Sequence, residues 1–122
     1  MKILLDAMGG DNAPDANIKG AVSAINEVTA EVVLVGNKDI ISKKIREFYG
    51  KDINEISPRL SIYNATETIE MEDMPTQAIK TKKDSSMVVG FNLLKSGYGD
   101  VFISAGNSGA LLTGATLLVG RI

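Results

Sequence analysis

The chain has 122 residues, a formal net charge of −2, 44% hydrophobic and 23% charged residues, and neither cysteine nor histidine. That length allows one small domain with a core, and the charge gives no overall pull toward nucleic acid or an anionic membrane. Within these residues the composition excludes disulfides, thiolate nucleophiles, Ser-His-Asp or Cys-His catalysis and histidine metal sites.

In chain order, Lys2 to Leu5 reads as a short buried strand leading into DAMGGDNAPD, Asp6 to Asp15, a loop dense in glycine and aspartate. Ala13 to Glu27 has helical spacing, with Ile18, Ala21, Val22 and Ile25 on one face, and Pro14 suits a first helical turn. Glu31 to Gly36 contains VVLV, the continuous apolar run of a parallel strand covered on both faces. Asn37 to Tyr49 predicts an amphipathic helix with Ile41, Ile45 and Phe48 inward and Asn37 as N-cap. Arg59 to Ala65 predicts a third strand. Residues 66 to 76 read as a polar loop in which Glu67, Glu70, Glu72 and Asp73 sit on a mobile surface segment. Helices are expected over Thr76 to Lys82 and Ser85 to Leu94, a break at Gly97 to Gly99, a fourth strand over Val101 to Ser104 and a buried helix over Asn107 to Val119.

Alternation of strand and helix with short connections predicts a layered α/β fold with a mainly parallel sheet and helices on both faces. Residues 1–122 read as the N-terminal part of a single α/β domain. The run into Gly120-Arg121-Ile122, apolar and without a polar tail, reads as the boundary of a fragment. No leader-like apolar segment follows Met1, and Ala110 to Val119 is about half a membrane-spanning helix; a cytoplasmic protein is expected.

Ligands of open α/β sheets bind beyond the carboxyl ends of strands, and two connections stand out there: Asp6 to Asp15 and Ser104 to Gly109. Neither is a dinucleotide fingerprint or a P-loop. Gly9, Gly10, Gly106 and Gly109 let backbone N–H groups approach an anion, and Asn107 and Ser108 add uncharged donors at a helix N-terminus. The same residues also suit a plain βα turn with an Asn or Ser cap. Asp6 and Asp11 fit turn-formers, paired acids or metal ligands, with turn-forming the usual role beside Gly-Gly. Lys80, Lys82 and Lys83 ahead of Ser85 and Ser86 fit either a solvated helix end or a funnel for an anionic substrate.

KILLDAMGGDNAPD, EDMPTQAIKTKKDSSMVVG and GDVFISAGNSGALL together resemble the acyl-ACP:phosphate acyltransferases of bacterial phospholipid synthesis, in the family's order and over nearly the whole chain. Asn12 stands where many members carry histidine, and Ser108 where threonine is common; both keep hydrogen-bonding character. The resemblance covers only the N-terminal portion of that family. It implies a fold similar to isopropylmalate dehydrogenase and phosphotransacetylase, a homodimer, peripheral contact with the membrane, no cofactor and no metal. It implies attack of inorganic phosphate on a fatty acyl thioester of acyl carrier protein. On that reading Gly106, Asn107, Ser108 and Gly109, with Ser104, form the anion cradle, and Asn107 and Ser108 act in catalysis. Gly9 and Gly10 supply the facing backbone, Asp6 and Asp11 order the loop, and Lys83, Ser85 and Ser86 bind substrate. Asn107→Ala is then expected to cut the phosphate-dependent rate with little loss of fold. The rival readings are a phosphotransacetylase-like enzyme using acyl-CoA, a non-catalytic phospho-ligand module, and an oxidoreductase of related fold, disfavoured without a dinucleotide fingerprint.

Overall fold

The computed structural model describes residues 1–119; Gly120 to Ile122, read above as a fragment boundary, lie outside the described residues. Four strands, β1 (Lys2–Asp6), β2 (Glu31–Gly36), β3 (Leu60–Asn64) and β4 (Val101–Ile103), form one parallel sheet in the order β3-β2-β1-β4. The expected α/β architecture is therefore present. Helices α1 (Asp15–Ile25) and α2 (Lys38–Tyr49) cover one face, and α5 (Ser86–Lys95) covers the other.

β2 is buried from Val32 to Gly36, as a strand with helices on both sides requires. Its alternate residues supply two separate cores. Val32 and Leu34 meet Ile18, Ile25, Ile41 and Ile45; Val33 and Val35 join Leu4 and Ala65 beneath Val89, Leu93 and Leu94 of α5. A third cluster (Ile69, Ala78, Ile79, Met87, Val88, Phe91 and Ala110) ties α4 (Pro75–Thr81) and α5 to α6 (Ser108–Gly114).

The caps explain the helix limits. The Asn37 side chain accepts the Ile40 N–H at 3.1 Å, and Gly50, at φ 66°, closes α2 in the left-handed region. α1 carries no basic residue in its last turn. Arg59 supplies the charge from outside: its guanidinium donates to the carbonyls of Ile25, Val28 and Ala30, where a cation suits the helix dipole.

The structure differs from the sequence reading at several elements. α1 begins at Asp15, because Pro14 occupies the cap position. A short helix α3 (Ile53–Ile56), closed by a capping box between Asp52 and Glu55, was not expected. The helix predicted as buried over Asn107 to Val119 is α6 followed by a π-helical turn, Ala115–Val119, and it is open on one side. Only the Ala110–Gly114 side packs inward, against Ile79 and Phe91, whereas Leu112 and Leu117 are 72% and 58% exposed. Uniform apolarity gave no hint of that asymmetry.

Gly20 tests how much of α1 is set by propensity. It lies mid-helix, is exposed, and an added Cβ would meet nothing within 4 Å. Gly20→Ala is expected to stabilise by about 0.5–1 kcal/mol, read as a higher midpoint in urea unfolding.

Candidate functional site

Because β1 and β4 are parallel neighbours, their carboxyl ends lie side by side, and the loops that follow them meet. The meeting is close. A Cβ on Gly9 would stand 3.0 Å from both Cα and N of Gly106, and one on Gly10 would stand 3.3 Å from the Ala105 carbonyl. Gly10 also has φ 105°, a conformation that L side chains rarely adopt. The two glycine loops thus pack backbone to backbone, which a side chain at Gly9 would disturb.

Beneath the loops lies Asp6, only 2% exposed. One carboxylate oxygen accepts the Ser86 hydroxyl at 2.6 Å and the Met8 N–H at 3.0 Å; the other accepts the Ser104 hydroxyl at 2.8 Å. Ser104 in turn accepts the Gly106 N–H at 3.1 Å. Asp6, Ser86, Ser104 and Gly106 are thereby joined in one chain of hydrogen bonds, buried at Ser86 and Asp6 and part-buried at Ser104. Ser85 stands apart from that chain and caps α5, accepting the Val88 N–H at 3.2 Å.

Two asparagines fasten the loops. Asn17 on α1 directs its amide at the carbonyls of Asp6, Ala7 and Gly9, at 3.0, 3.0 and 2.9 Å. Asn107 directs its own at Glu70, Met71 and Asp73, at 3.0, 3.3 and 3.0 Å, while its oxygen caps α6 by accepting the Ala110 N–H at 3.1 Å. Sequence reasoning missed Asn17; its only signal was a polar residue facing a glycine loop. The geometry also revises the expectation that Asn107→Ala spares the fold, since every polar atom of that side chain holds structure.

The acidic segment is not the loose surface loop expected from its charge. Lys82 donates to Asp73 at 2.6 Å and to the Thr68 carbonyl at 2.9 Å. Asp84 accepts from both the backbone and the hydroxyl of Thr66, and Glu67 accepts the Asp84 N–H. Hydrogen bonds from Lys82 and from the Glu70 N–H hold Asp73 below the ordinary carboxylate value. Those from Thr66 do the same for Asp84, and the bond to Asp73 raises Lys82. Carboxylates with lowered values stabilise fully above their unfolded value of about 4 and lose that contribution as pH falls through the lowered one. Acidification from about pH 6 to about pH 3 is therefore expected to release residues 66–74 first, seen as faster amide exchange there than in α2.

The remaining predicted residues take different surroundings. Ser108 is exposed on the first residue of α6. Gly109 packs against Pro75: a Cβ there would lie 2.6 Å from its ring. Asp11 lines a cleft of about 500 Å³ with Met8, Gly10, Ala13, Thr68, Glu70, Met71 and Glu72, and among the described residues no lysine or arginine lines it. Lys83 lies elsewhere, in a cavity with Ile79, Lys80, Val88, Asn92, Leu117 and Leu118. The structure thus brings Asp6, Gly9, Gly10, Ser86, Ser104, Gly106, Asn107 and Ser108 to one end of the sheet. It does not bring Lys83 to the glycine loops.

The whole chain, residues 1–122, matches the family described as Fatty acid synthesis protein. The chain belongs to that family. A Phosphate acyltransferase of Acetivibrio thermocellus is 54% identical over 123 residues, covering 100% of this chain and 35% of that protein. A Phosphate acyltransferase of Clostridioides difficile is 52% identical over 122 residues, covering 100% of this chain and 34% of its own length. One from Thermoanaerobacterium thermosaccharolyticum is 47% identical with the same coverage. The chain spans about a third of the length of the curated relatives it matches.

The described residues contain no helix long and apolar enough to cross a membrane. The glycine loops, the Asp6 network and Asn107 are what this third of the family's length contributes at the sheet's carboxyl end. Both predicted loops are there, but the side chains expected to touch a ligand are mostly engaged with one another. Ser108, the first residue of α6, is exposed.

Proposed function

We propose that this chain forms the N-terminal part of the α/β domain of a phosphate acyltransferase that makes acyl phosphate for phospholipid synthesis. The carrying observation is the match over the full chain to relatives named Phosphate acyltransferase. In the proposed reaction an oxygen of inorganic phosphate attacks the thioester carbonyl of a fatty acyl group on acyl carrier protein. The C–O bond forms, the tetrahedral oxyanion collapses, the C–S bond breaks and the sulfur leaves as a thiol after taking a proton. Phosphate is itself the nucleophile, so the absence of cysteine and histidine is no obstacle. The chemistry needs alignment and donors aimed at developing negative charge.

Ser108, with the backbone N–H groups at the start of α6, is the candidate for contact with phosphate or the oxyanion; the glycine loops give close access. Among the described residues no cationic side chain lines the acidic cleft beside Asp11; on this reading the positive charge that phosphate requires comes from outside the described residues. Homodimer formation, docking of the carrier protein and peripheral membrane contact of a cytoplasmic protein belong to the same proposal.

The test is thiol release by the complete protein from fatty acyl carrier protein and from acyl-CoA, each with and without inorganic phosphate. Phosphate-dependent release from the carrier thioester, with acyl phosphate as product, is expected. Release from acyl-CoA alone would move the assignment to a phosphotransacetylase-like enzyme. No phosphate dependence with either donor would overturn it.

A further inference from the structure

An acid beside a proposed phosphate site raises an electrostatic problem, because two negative groups in a poorly solvated place repel. The surroundings of Asp6 answer it. Its carboxylate is 2% exposed, and both oxygens accept hydrogen bonds, from Ser86 and Met8 on one side and Ser104 on the other. Its charge faces donors beneath the loops and is shielded from whatever lies above them.

The polarity of this network has a further effect. A carboxylate only accepts, so both serine hydroxyls must donate to it. Ser104 then has only lone pairs left, and one of them takes the Gly106 N–H. The direction of one N–H in the second glycine loop is thereby set by a carboxylate at the end of β1. The same carboxylate sets the first loop through the Met8 N–H. Ser86, at the start of α5, anchors the arrangement from the opposite face of the sheet.

We propose that Asp6 is a positioning residue that holds the two glycine loops in the register phosphate requires, acting through Ser104 and Ser86 without touching phosphate. This rests on the phosphate acyltransferase reading for its ligand; the geometry of the network does not depend on it.

Asp6→Asn keeps the shape and removes the double acceptor. The Met8 N–H cannot turn, so the amide oxygen takes that side and the amide nitrogen faces Ser104. Ser104 must then accept, and its own hydrogen loses its partner. In the complete protein, Asp6→Asn is expected to raise KM for inorganic phosphate about tenfold, as loss of one charge-assisted bond implies, with a smaller change in kcat. Amide exchange in residues 7–12 and 104–110 should accelerate together while α2 stays protected. Ser104→Ala should give the same signature in milder form, and combining it with Asp6→Asn should add little.

A KM for phosphate that falls would mean that Asp6 acts only as a repelling charge, and would overturn the proposal. So would unchanged KM and loop exchange in a destabilised variant, or full additivity of the two substitutions. If Asp6→Asn does not fold, Ser104→Ala and Ser86→Ala decide the matter by the same readouts, and wild-type loop exchange and KM in both would sink it. If the unaltered protein shows no phosphate dependence, the acyltransferase reading fails, and loop exchange alone still decides the role of Asp6.

Discussion

Asn107→Ala is expected to lose about 1.5–2.5 kcal/mol of stability and most of the phosphate-dependent rate. The mutation removes the N-cap of α6 and the donors that hold the carbonyls of Glu70, Met71 and Asp73. A lost cap costs about 1 kcal/mol, and losing the part-buried hydrogen bonds to the carbonyls of Glu70, Met71 and Asp73, which water can replace, costs about 0.5–1.5 kcal/mol more. Asn107→Asp separates the two roles. It keeps an oxygen for the Ala110 N–H but points a second oxygen at three carbonyl oxygens, so it should be at least as damaging near neutral pH. Thermal unfolding of both variants, with proteolysis across residues 66–74, measures this. Wild-type stability in Asn107→Ala would show that the clamp contributes nothing and would restore Asn107 as a purely substrate-facing group.

Gly9→Ala should be the most damaging single methyl group in the molecule's candidate site. The new carbon would lie 2.6 Å from an oxygen of Asp6 and 3.0 Å from the Gly106 backbone. Neither neighbour can yield easily: one is a buried carboxylate fixed by three donors, the other is main chain. Overpacking of this kind costs about 1–3 kcal/mol, and displacement of Asp6 adds the loss of its hydrogen bonds. Activity in the complete protein is expected to fall at least tenfold, with a lowered unfolding midpoint. A folded, fully active Gly9→Ala would mean that the two loops need not touch.

The parts of the fold that were legible in the sequence are those whose cause is local. VVLV could only be a strand covered on both faces. The 3.6-residue spacing of Ile41 and Ile45, after an asparagine cap and before Gly50, specifies α2 almost completely. The site was legible as two loops and illegible as a network. Asp6 was visible as an acid, but its burial depends on Ser86 and Ser104, 80 and 98 residues away. The acidic segment looked loose because its partners Lys82, Asp84 and Asn107 lie beyond any local window. Asn17 was silent for a different reason: its acceptors are main-chain carbonyls, which every sequence has. Lys83 was grouped with Ser85 and Ser86 by adjacency, yet it lines a cavity with Leu117 and Leu118 of the π-helical turn.

The pairing of β1 with β4 has a consequence for the order of assembly during synthesis. The core cluster under α1 and α2 draws on residues between Leu5 and Ile62, so it can close while the rest of the chain is still on the ribosome. β1 then waits, one edge unpaired, until Val101 to Ile103 emerge, a delay on the order of seconds at ordinary elongation rates. The Asp6 network cannot form before Ser104 arrives. The glycine loops are therefore completed after the α1–α2 core, on a scaffold already in place, and a variant that fails at this step would leave a half-built sheet with an exposed strand for chaperones to guard.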